Sequence, residues 1–195
     1  MNGAPGGSAG PPGGEYHAAV RYGAFFADRP DLLDLVLRRS TARLGSIHGV
    51  EHWARVERNG LWLAPRTGAR VRVVRLFALL HDCRRLNDAH DPGHGPRAAE
   101  LAADLGAERL GLEPVELELL CRACEGHTRE RLSDDPTIGT CWDADRLDLP
   151  RVGITPDPRF FSTEAAREIV RLGRLELVEE AGGRAVHPGN RRSFP

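Results

Sequence analysis

The chain has 195 residues, enough for one domain that buries about two-thirds of the surface exposed by its unfolded chain. Its 27 basic and 28 acidic residues give a formal net charge of −1, which argues against a general nucleic-acid or membrane-surface binder. Every basic residue is arginine, so any cation that meets an anion in this protein must be Arg, His or a metal ion.

The two ends of the chain have compositions typical of disordered tails. Residues 1–14 and 181–195 are rich in Gly and Pro and offer little to bury. We therefore expect one helical domain over residues 15–180, with its core motifs in residues 46–150. Four cysteines lie in apolar stretches, and no signal peptide is expected before them, so we expect free thiols and a cytoplasmic location. No apolar run is long enough for a membrane span, and we expect no membrane partner.

Between the tails, the apolar residues recur with helical spacing, and almost none alternate with the period of a strand. Proline near the starts and glycine or proline at the ends mark the helix limits. Residues 70–73 alternate and could form a strand, but a single strand makes no sheet. The pattern therefore predicts an all-α bundle of about six to eight helices. The predicted helices cover residues 31–44, 50–64, 71–87, 96–105, 114–125, 138–149 and 163–180.

His81 and Asp82 carry the strongest chemical signal, because they end an apolar helical run. A buried imidazole and carboxylate need partners, and one metal ion satisfies both. His52 lies on the apolar face of an earlier predicted helix, and Asp145 lies one turn after Cys141 on a later one. Any one inward histidine is more often a hydrogen-bonded core residue, but four such groups without another shared partner indicate a metal site. Nitrogen and oxygen ligands suit Mn, Fe, Zn or Mg.

Three segments in this order resemble the H…HD…D pattern of the HD superfamily of metal-dependent phosphohydrolases. The segments are His52-Trp-Ala-Arg-Val, Leu-Leu-His81-Asp82 and Asp143-Ala-Asp145-Arg-Leu-Asp148. The resemblance implies a compact HD-domain helical bundle that binds a divalent transition metal (Mn, Fe, Zn, Co or Ni) or Mg. The implied ligands are His52, His81, Asp82 and Asp145. Asp143 is the alternative for the last ligand, and its spacing does not exclude it.

The same resemblance implies a bacterial-type enzyme that hydrolyses a phosphate ester of a nucleotide or small metabolite. Arg84 lies near the face of His81 and is a candidate phosphate contact, with a surface ion pair as the equal alternative. Arg55 lies one turn from His52 and is predicted either to contact substrate or to pair with an acidic group beside the ligands. Arg85 is expected to form surface ion pairs.

Three further histidines bear on the number of metal ions. His127 ends an apolar helical face, His94 lies in the loop before the next helix, and His48 lies one turn before His52. Some proteins similar to this family hold two metals, and some of those are iron oxygenases. The pattern favours one metal over two. A dinuclear-iron oxygenase and a catalytically silent metal-binding regulatory module are the alternatives to a hydrolase.

A competing motif overlaps the first of these segments. His48-Gly-Val-Glu51-His52 matches the H-x-x-E-H pattern of a class of zinc peptidases, in which the glutamate is the general base. A peptidase site of this kind would leave the His81-Asp82 pair unexplained. The sequence therefore favours the phosphohydrolase over the peptidase.

Overall fold

The computed structural model describes residues 26–175, which form seven α-helices and two short 3-10 helices. The α-helices are α1 (Pro30–Arg39), α2 (Val50–Thr67), α3 (Val71–Leu80), α4 (His94–Leu110), α5 (Pro114–Gly126), α6 (Pro136–Arg146) and α7 (Glu164–Leu172), and the 3-10 helices are Leu149–Val152 and Pro158–Phe160. No strand is found in this range, so the all-α prediction is confirmed. The predicted tails, 1–14 and 181–195, and both ends of the predicted domain lie outside the described residues.

Helix α3 forms the centre of the bundle. Seven of its ten residues are buried, and it packs against α2, α5 and α6. Each fully buried Leu, Val or Phe side chain contributes about 1.5–3 kcal/mol through removal of apolar surface from water. The four cysteines are free. None of the helices within the described range has the length and apolarity needed to cross a bilayer.

Gly60 allows α2 and α3 to cross at short range. A Cβ atom at this position would lie 2.3 Å from Cγ1 of Val74. Since Val is stiff about χ1, that methyl group has little freedom to move away. Helix α2 carries His52 and helix α3 leads into His81, so this crossing helps to set the distance between the two histidines.

The helices predicted over residues 31–44 and 71–87 are both shorter in the structure, for one shared reason. The backbone carbonyl of Cys83 accepts hydrogen bonds from the Thr41 N–H at 3.0 Å and from the Ser40 hydroxyl at 2.8 Å. This contact draws the end of α1 and the end of α3 together, and both segments leave the helical conformation to make it. Local sequence carries no sign of such a distant partner.

The other helix limits lie closer to the prediction. Helix α4 begins at His94 rather than at residue 96, and Gly106 (φ 74°, ψ 161°) interrupts it where the predicted helix stops. Helix α6 begins after Asp135, whose side chain accepts hydrogen bonds from the Thr137 and Ile138 N–H groups at 2.8 and 2.9 Å. Such a cap stabilises a helix by about 1 kcal/mol.

The last helix is also shorter than predicted within the described range. Helix α7 ends before Gly173, which has a φ of 62°. Glycine adopts this left-handed conformation without the strain of a Cβ atom, and it commonly follows a helix end. Residues 176–180 of the predicted helix lie outside the described residues.

Candidate metal centre

Four ionisable side chains meet where three helices converge at one end of the bundle. His52 lies in the first turn of α2, His81 and Asp82 follow α3 directly, and Asp145 lies in the last turn of α6. The His52 and His81 side chains are fully buried, and the Asp145 side chain is 20% exposed. The four groups are therefore enclosed by the fold, with one carboxylate reaching its surface.

The donor atoms of His52, His81 and Asp145 form one group that could hold a metal ion, and Asp82 approaches the same two histidines. Nε2 of His52 lies 3.1 Å from Nε2 of His81 and 3.2 Å from Oδ1 of Asp145. Oδ2 of Asp82 lies 3.6 Å from Nε2 of His52 and 3.7 Å from Nε2 of His81. Donors bound at about 2.1 Å to one ion in tetrahedral or octahedral geometry are about 3.0–3.4 Å apart. The observed spacing fits one ion after small adjustments.

The hydrogen bonds at Nδ1 decide which ring nitrogens carry a lone pair. Nδ1 of His52 donates to Oδ2 of Asp148 at 2.7 Å, and Nδ1 of His81 faces the carbonyl oxygens of Phe77 and Ala78 at 3.1 and 3.2 Å. Since these oxygens can only accept, Nδ1 carries the proton and Nε2 carries the lone pair in each neutral ring. Two lone pairs then face each other at 3.1 Å, an arrangement that a shared cation stabilises.

The charges in the cluster agree with a divalent cation. Burial lowers the pKa of His81 to about 3, so this ring is neutral at pH 7. Burial raises the pKa of Asp82, but the neighbouring histidines outweigh it and hold the pKa well below the usual range. Burial likewise opposes ionisation of Asp145, and the hydrogen bond from His52 and nearby histidine charges lower its pKa on balance. Two ionised carboxylates beside the neutral His81 ring favour a cation between them.

Among His52, His81, Asp82 and Asp145, His52 is the one side chain whose pKa is raised. Burial lowers the pKa of its ring, but hydrogen bonds with Asp145 and Asp148 outweigh burial. A proton or a metal ion can therefore satisfy the same position between the two carboxylates, and metal binding at His52 would release that proton.

A second cluster uses the other oxygen of Asp82. Oδ1 of Asp82 lies 3.0 Å from Nε2 of His94 and 3.7 Å from Nε2 of His127, and these two nitrogens are 2.9 Å apart. Nδ1 of His94 faces the Asp91 carbonyl oxygen and Nδ1 of His127 faces that of Cys124, so Nε2 carries the lone pair when either ring is neutral. The structure thus brings together two of the three histidines that the sequence associates with a second metal, and it places His48 with His52 and Asp82 instead.

Gly95 makes the second cluster possible. A Cβ atom at Gly95 would lie 2.5 Å from the backbone oxygen of Cys124 and 3.3 Å from Nδ1 of His127. The first residues of α4 therefore rest directly on the end of α5. This contact places His94 beside His127.

Among solved structures, the chain is similar to a protein described as a predicted HD superfamily hydrolase from an uncultured Thermotogales bacterium. The two share 25% sequence identity over 82% of this chain and 94% of the other, with a TM-score of 0.60. This chain has an HD-domain fold. No protein-family model and no curated protein matches it. The HD-domain fold and the buried cluster of His and Asp together support a metal-dependent hydrolase in general terms.

In this HD-domain structure Arg85, and not Arg84, contacts the clusters. Nη1 of Arg85 lies 3.4 Å from Oδ1 of Asp82 and 3.2 Å from Nε2 of His94, and the side chain is 9% exposed. Arg84 instead donates to the backbone oxygen of Arg39 at the protein surface. The expectation that Arg85 forms surface ion pairs is therefore wrong, and Arg84 points away from the centre. Arg84 and Arg85 are adjacent in the chain, and the end of α3 decides which of the two side chains faces the clusters.

Asp148 lies directly behind His52. It accepts a hydrogen bond from His52 and another from Nε of Arg55, at 2.7 Å. Of the two roles predicted for Arg55, the structure shows the pair with an acidic group beside the ligands. Arg151 approaches Oδ2 of the same carboxylate at 3.6 Å. Burial raises the pKa of Asp148, but His52 and Arg55 lower it on balance, so the carboxylate is ionised. Asp148 fixes the tautomer and direction of the His52 ring.

His48 groups with His52 and Asp82 as a possible metal site, whereas Glu51 lies outside the clusters. His48 precedes α2, and its Nδ1 lies 3.0 Å from Oδ2 of Asp82 and 3.3 Å from Nη2 of Arg151. Its side chain is 16% exposed, so it lies nearer the surface than the fully buried side chains of His52 and His81. Glu51 is exposed on α2 and does not reach the clusters, which leaves a peptidase without its general base.

Asp143 is buried but belongs to a different contact. Its carboxylate accepts hydrogen bonds from the Ser162 N–H at 2.8 Å and from the Thr163 N–H and hydroxyl at 2.7 Å. Both of its oxygens are thereby used to hold the start of α7 against α6. Burial raises the pKa of Asp143 despite these bonds. Asp145, rather than Asp143, lies with the convergent histidines.

Proposed function

We propose that this chain is a metal-dependent phosphohydrolase that holds one divalent metal through His52, His81, Asp82 and Asp145. One observation carries the proposal: two histidines and two carboxylates meet at this position. The Nε2 atoms of the histidines lie 3.1 Å apart, and both carboxylates are ionised. The metal belongs to the group Mn, Fe, Zn, Co, Ni and Mg, which accept nitrogen and oxygen ligands. A bound metal of this group activates water near neutral pH and offsets charge on phosphoryl oxygens.

The chain's own residues prepare the centre for that reaction. Asp148 holds the His52 ring with Nε2 towards the metal position, and backbone carbonyls do the same for His81. Arg85 places a fixed positive charge 3.4 Å from Oδ1 of Asp82 and helps to orient that carboxylate. Little rearrangement is then needed when metal and substrate arrive, as preorganised electrostatic catalysis requires.

Substrate access is proposed on the side bordered by His48. A cavity of about 470 Å³, lined by residues that include Arg43, Ser46 and Asp88, lies between the loop before His48 and the loop after Arg85. This volume suits a small phosphorylated metabolite or nucleotide. Arg43 is the exposed cation of this cavity, at 3.7 Å from Asp88, and we propose that it attracts the anionic substrate.

A dinuclear-iron oxygenase is the second candidate, because Asp82, His94 and His127 could hold another ion. The Arg85 guanidinium opposes it, since a second cation would lie beside an existing positive charge on the same donors. One metal is therefore proposed over two. Two irons per chain with substrate-dependent oxygen uptake would favour the oxygenase. Bound metal with no turnover of any substrate would favour a silent regulatory module.

The proposed setting of the enzyme is a reducing cytoplasm, which its four free cysteines suit.

The test of the function is a metal-supplemented panel of phosphate esters, applied to the wild type and to a matched pair of variants. Asp145→Asn is expected to lose turnover together with metal, since a carboxamide is a weaker ligand. Asp143→Asn is expected to keep both, at lower stability. Loss of turnover in Asp143→Asn alone, with both variants folded by circular dichroism, would reject the ligand assignment.

A further inference from the structure

A second cavity, of about 230 Å³, lies behind His52 on the side of the ring away from the metal position. Its lining includes Arg55, Arg58, Arg151 and Asp148. Asp148 accepts the hydrogen bond from Nδ1 of His52, whereas Nε2 of the same ring faces the proposed metal. The imidazole and the Asp148 carboxylate therefore separate this cavity from the reacting centre.

Positive charge dominates the lining of this cavity. Three guanidinium groups and one carboxylate line it. Arg151 is held by the backbone oxygens of Ile47 and Asp148, whereas Arg55 donates only through Nε to the Asp148 carboxylate, at 2.7 Å. The terminal nitrogens of Arg55 have no hydrogen-bond partner within residues 26–175. The cavity therefore holds more cationic donors than the protein's own acceptors satisfy.

Arg58 provides an independent sign of an absent acceptor. Its Nε atom is buried and has no hydrogen-bond partner among the described residues. Its Nη2 makes one long contact, 3.5 Å, with Oδ1 of the adjacent Asn59. A buried donor on a charged group is costly to leave unpaired, so an acceptor supplied from outside the chain would be bound favourably.

We propose that this cavity is a binding site for a phosphate-like oxyanion, distinct from the metal centre. Guanidinium groups match the oxygen geometry of phosphate, and Arg58 together with the free donors of Arg55 supplies charge-assisted hydrogen bonds. The volume admits inorganic phosphate or a small phosphate monoester. Such a ligand would contact Arg55, which also donates to Asp148, the residue that orients His52. Arg55 therefore links this site to the metal centre.

The experiment is a calorimetric titration of inorganic phosphate into the full chain carrying Asp82→Ala, at constant ionic strength in chloride. This substitution removes binding of phosphate through the metal, so failure of the proposed function does not disturb the measurement. One phosphate per chain is expected, with a dissociation constant below about 1 mM. Addition of Arg58→Ala is expected to weaken binding at least about tenfold, while the control Arg66→Ala, on the same helix outside the cavity, leaves it unchanged.

Two results would overturn the site. One is the absence of phosphate binding by folded Asp82→Ala protein, and the other is equal weakening by Arg58→Ala and Arg66→Ala. Wild-type protein stripped of metal with a chelator serves for the same titration if Asp82→Ala does not fold. Parallel titration with glycerol phosphate separates free phosphate from a monoester as the occupant.

Discussion

The direction of each histidine ring in the centre depends on the acceptor at its Nδ1. For His52 this acceptor is the ionised side chain of Asp148, whereas for His81 it is the backbone at the end of α3. A backbone acceptor survives most substitutions, but a carboxylate acceptor can be removed alone. The support of His52 can therefore be tested separately from the ligands.

Replacement of Asp148 by asparagine is expected to weaken metal binding by about 10–100-fold, because carboxylates behind ligand histidines make comparable contributions. The fold should persist, since asparagine keeps the shape of the side chain. Titration with the metal in the presence of a competing chelator measures the change. An unchanged metal affinity would show that His52 needs no carboxylate support.

Arg84 and Arg85 form a natural matched pair, because they are adjacent and only one contacts the clusters. In Arg85→Ala, the positive charge beside Asp82 and His94 is lost. The second cluster should then accept an ion, and bound metal should rise from about one towards two per chain in excess metal. Arg84→Ala should keep one. Elemental analysis checks both, and an unchanged metal content in folded Arg85→Ala would contradict the proposed competition.

At the level of helices, the sequence predicts what depends on local spacing. It identifies α2, α5 and α6 to within about three residues, since their apolar faces and, for α5, the proline start are visible in the chain. It misplaces the ends of α1 and α3, because a carbonyl more than 40 residues away takes the hydrogen bonds of residues 40 and 41. The sequence places Asp145 on the helix that carries it, whereas Asp82 lies just after α3 rather than within a helix. The contact of Arg85 rather than Arg84 with the clusters depends on where α3 ends.

The close crossing of α2 and α3 gives a prediction of its own. Gly60→Ala should destabilise the protein by about 1–3 kcal/mol, because its methyl group would overlap the Val74 side chain. Gly45→Ala, where a Cβ atom meets nothing within 4 Å, is the matched control and should lie within about 0.5 kcal/mol of wild type. Denaturant unfolding followed by circular dichroism measures both. Equal free energies of unfolding for the two variants would show that α2 and α3 can move apart without loss of stability.

For the whole molecule, the metal is expected to contribute to folding as well as to catalysis. The centre joins α2, α3 and α6, and its buried carboxylates and lone pairs need a cation. At a free metal concentration of 100 times the dissociation constant, binding stabilises the fold by about 2.7 kcal/mol. Removal of the metal with a chelator should then lower Tm by about 5–10 °C in scanning calorimetry. A chelator that leaves the Tm of metal-loaded protein unchanged would contradict this coupling.

The most direct test of the central proposal is the metal content of purified, metal-reconstituted wild-type and Asp82→Ala protein, measured by elemental analysis. Asp82 is the residue whose two oxygens face both clusters, so its loss removes a ligand from each. The expected result is about one metal per chain in the wild type and almost none in the folded variant. Stoichiometric metal in folded Asp82→Ala protein would contradict the proposed centre and, with it, the proposed hydrolase.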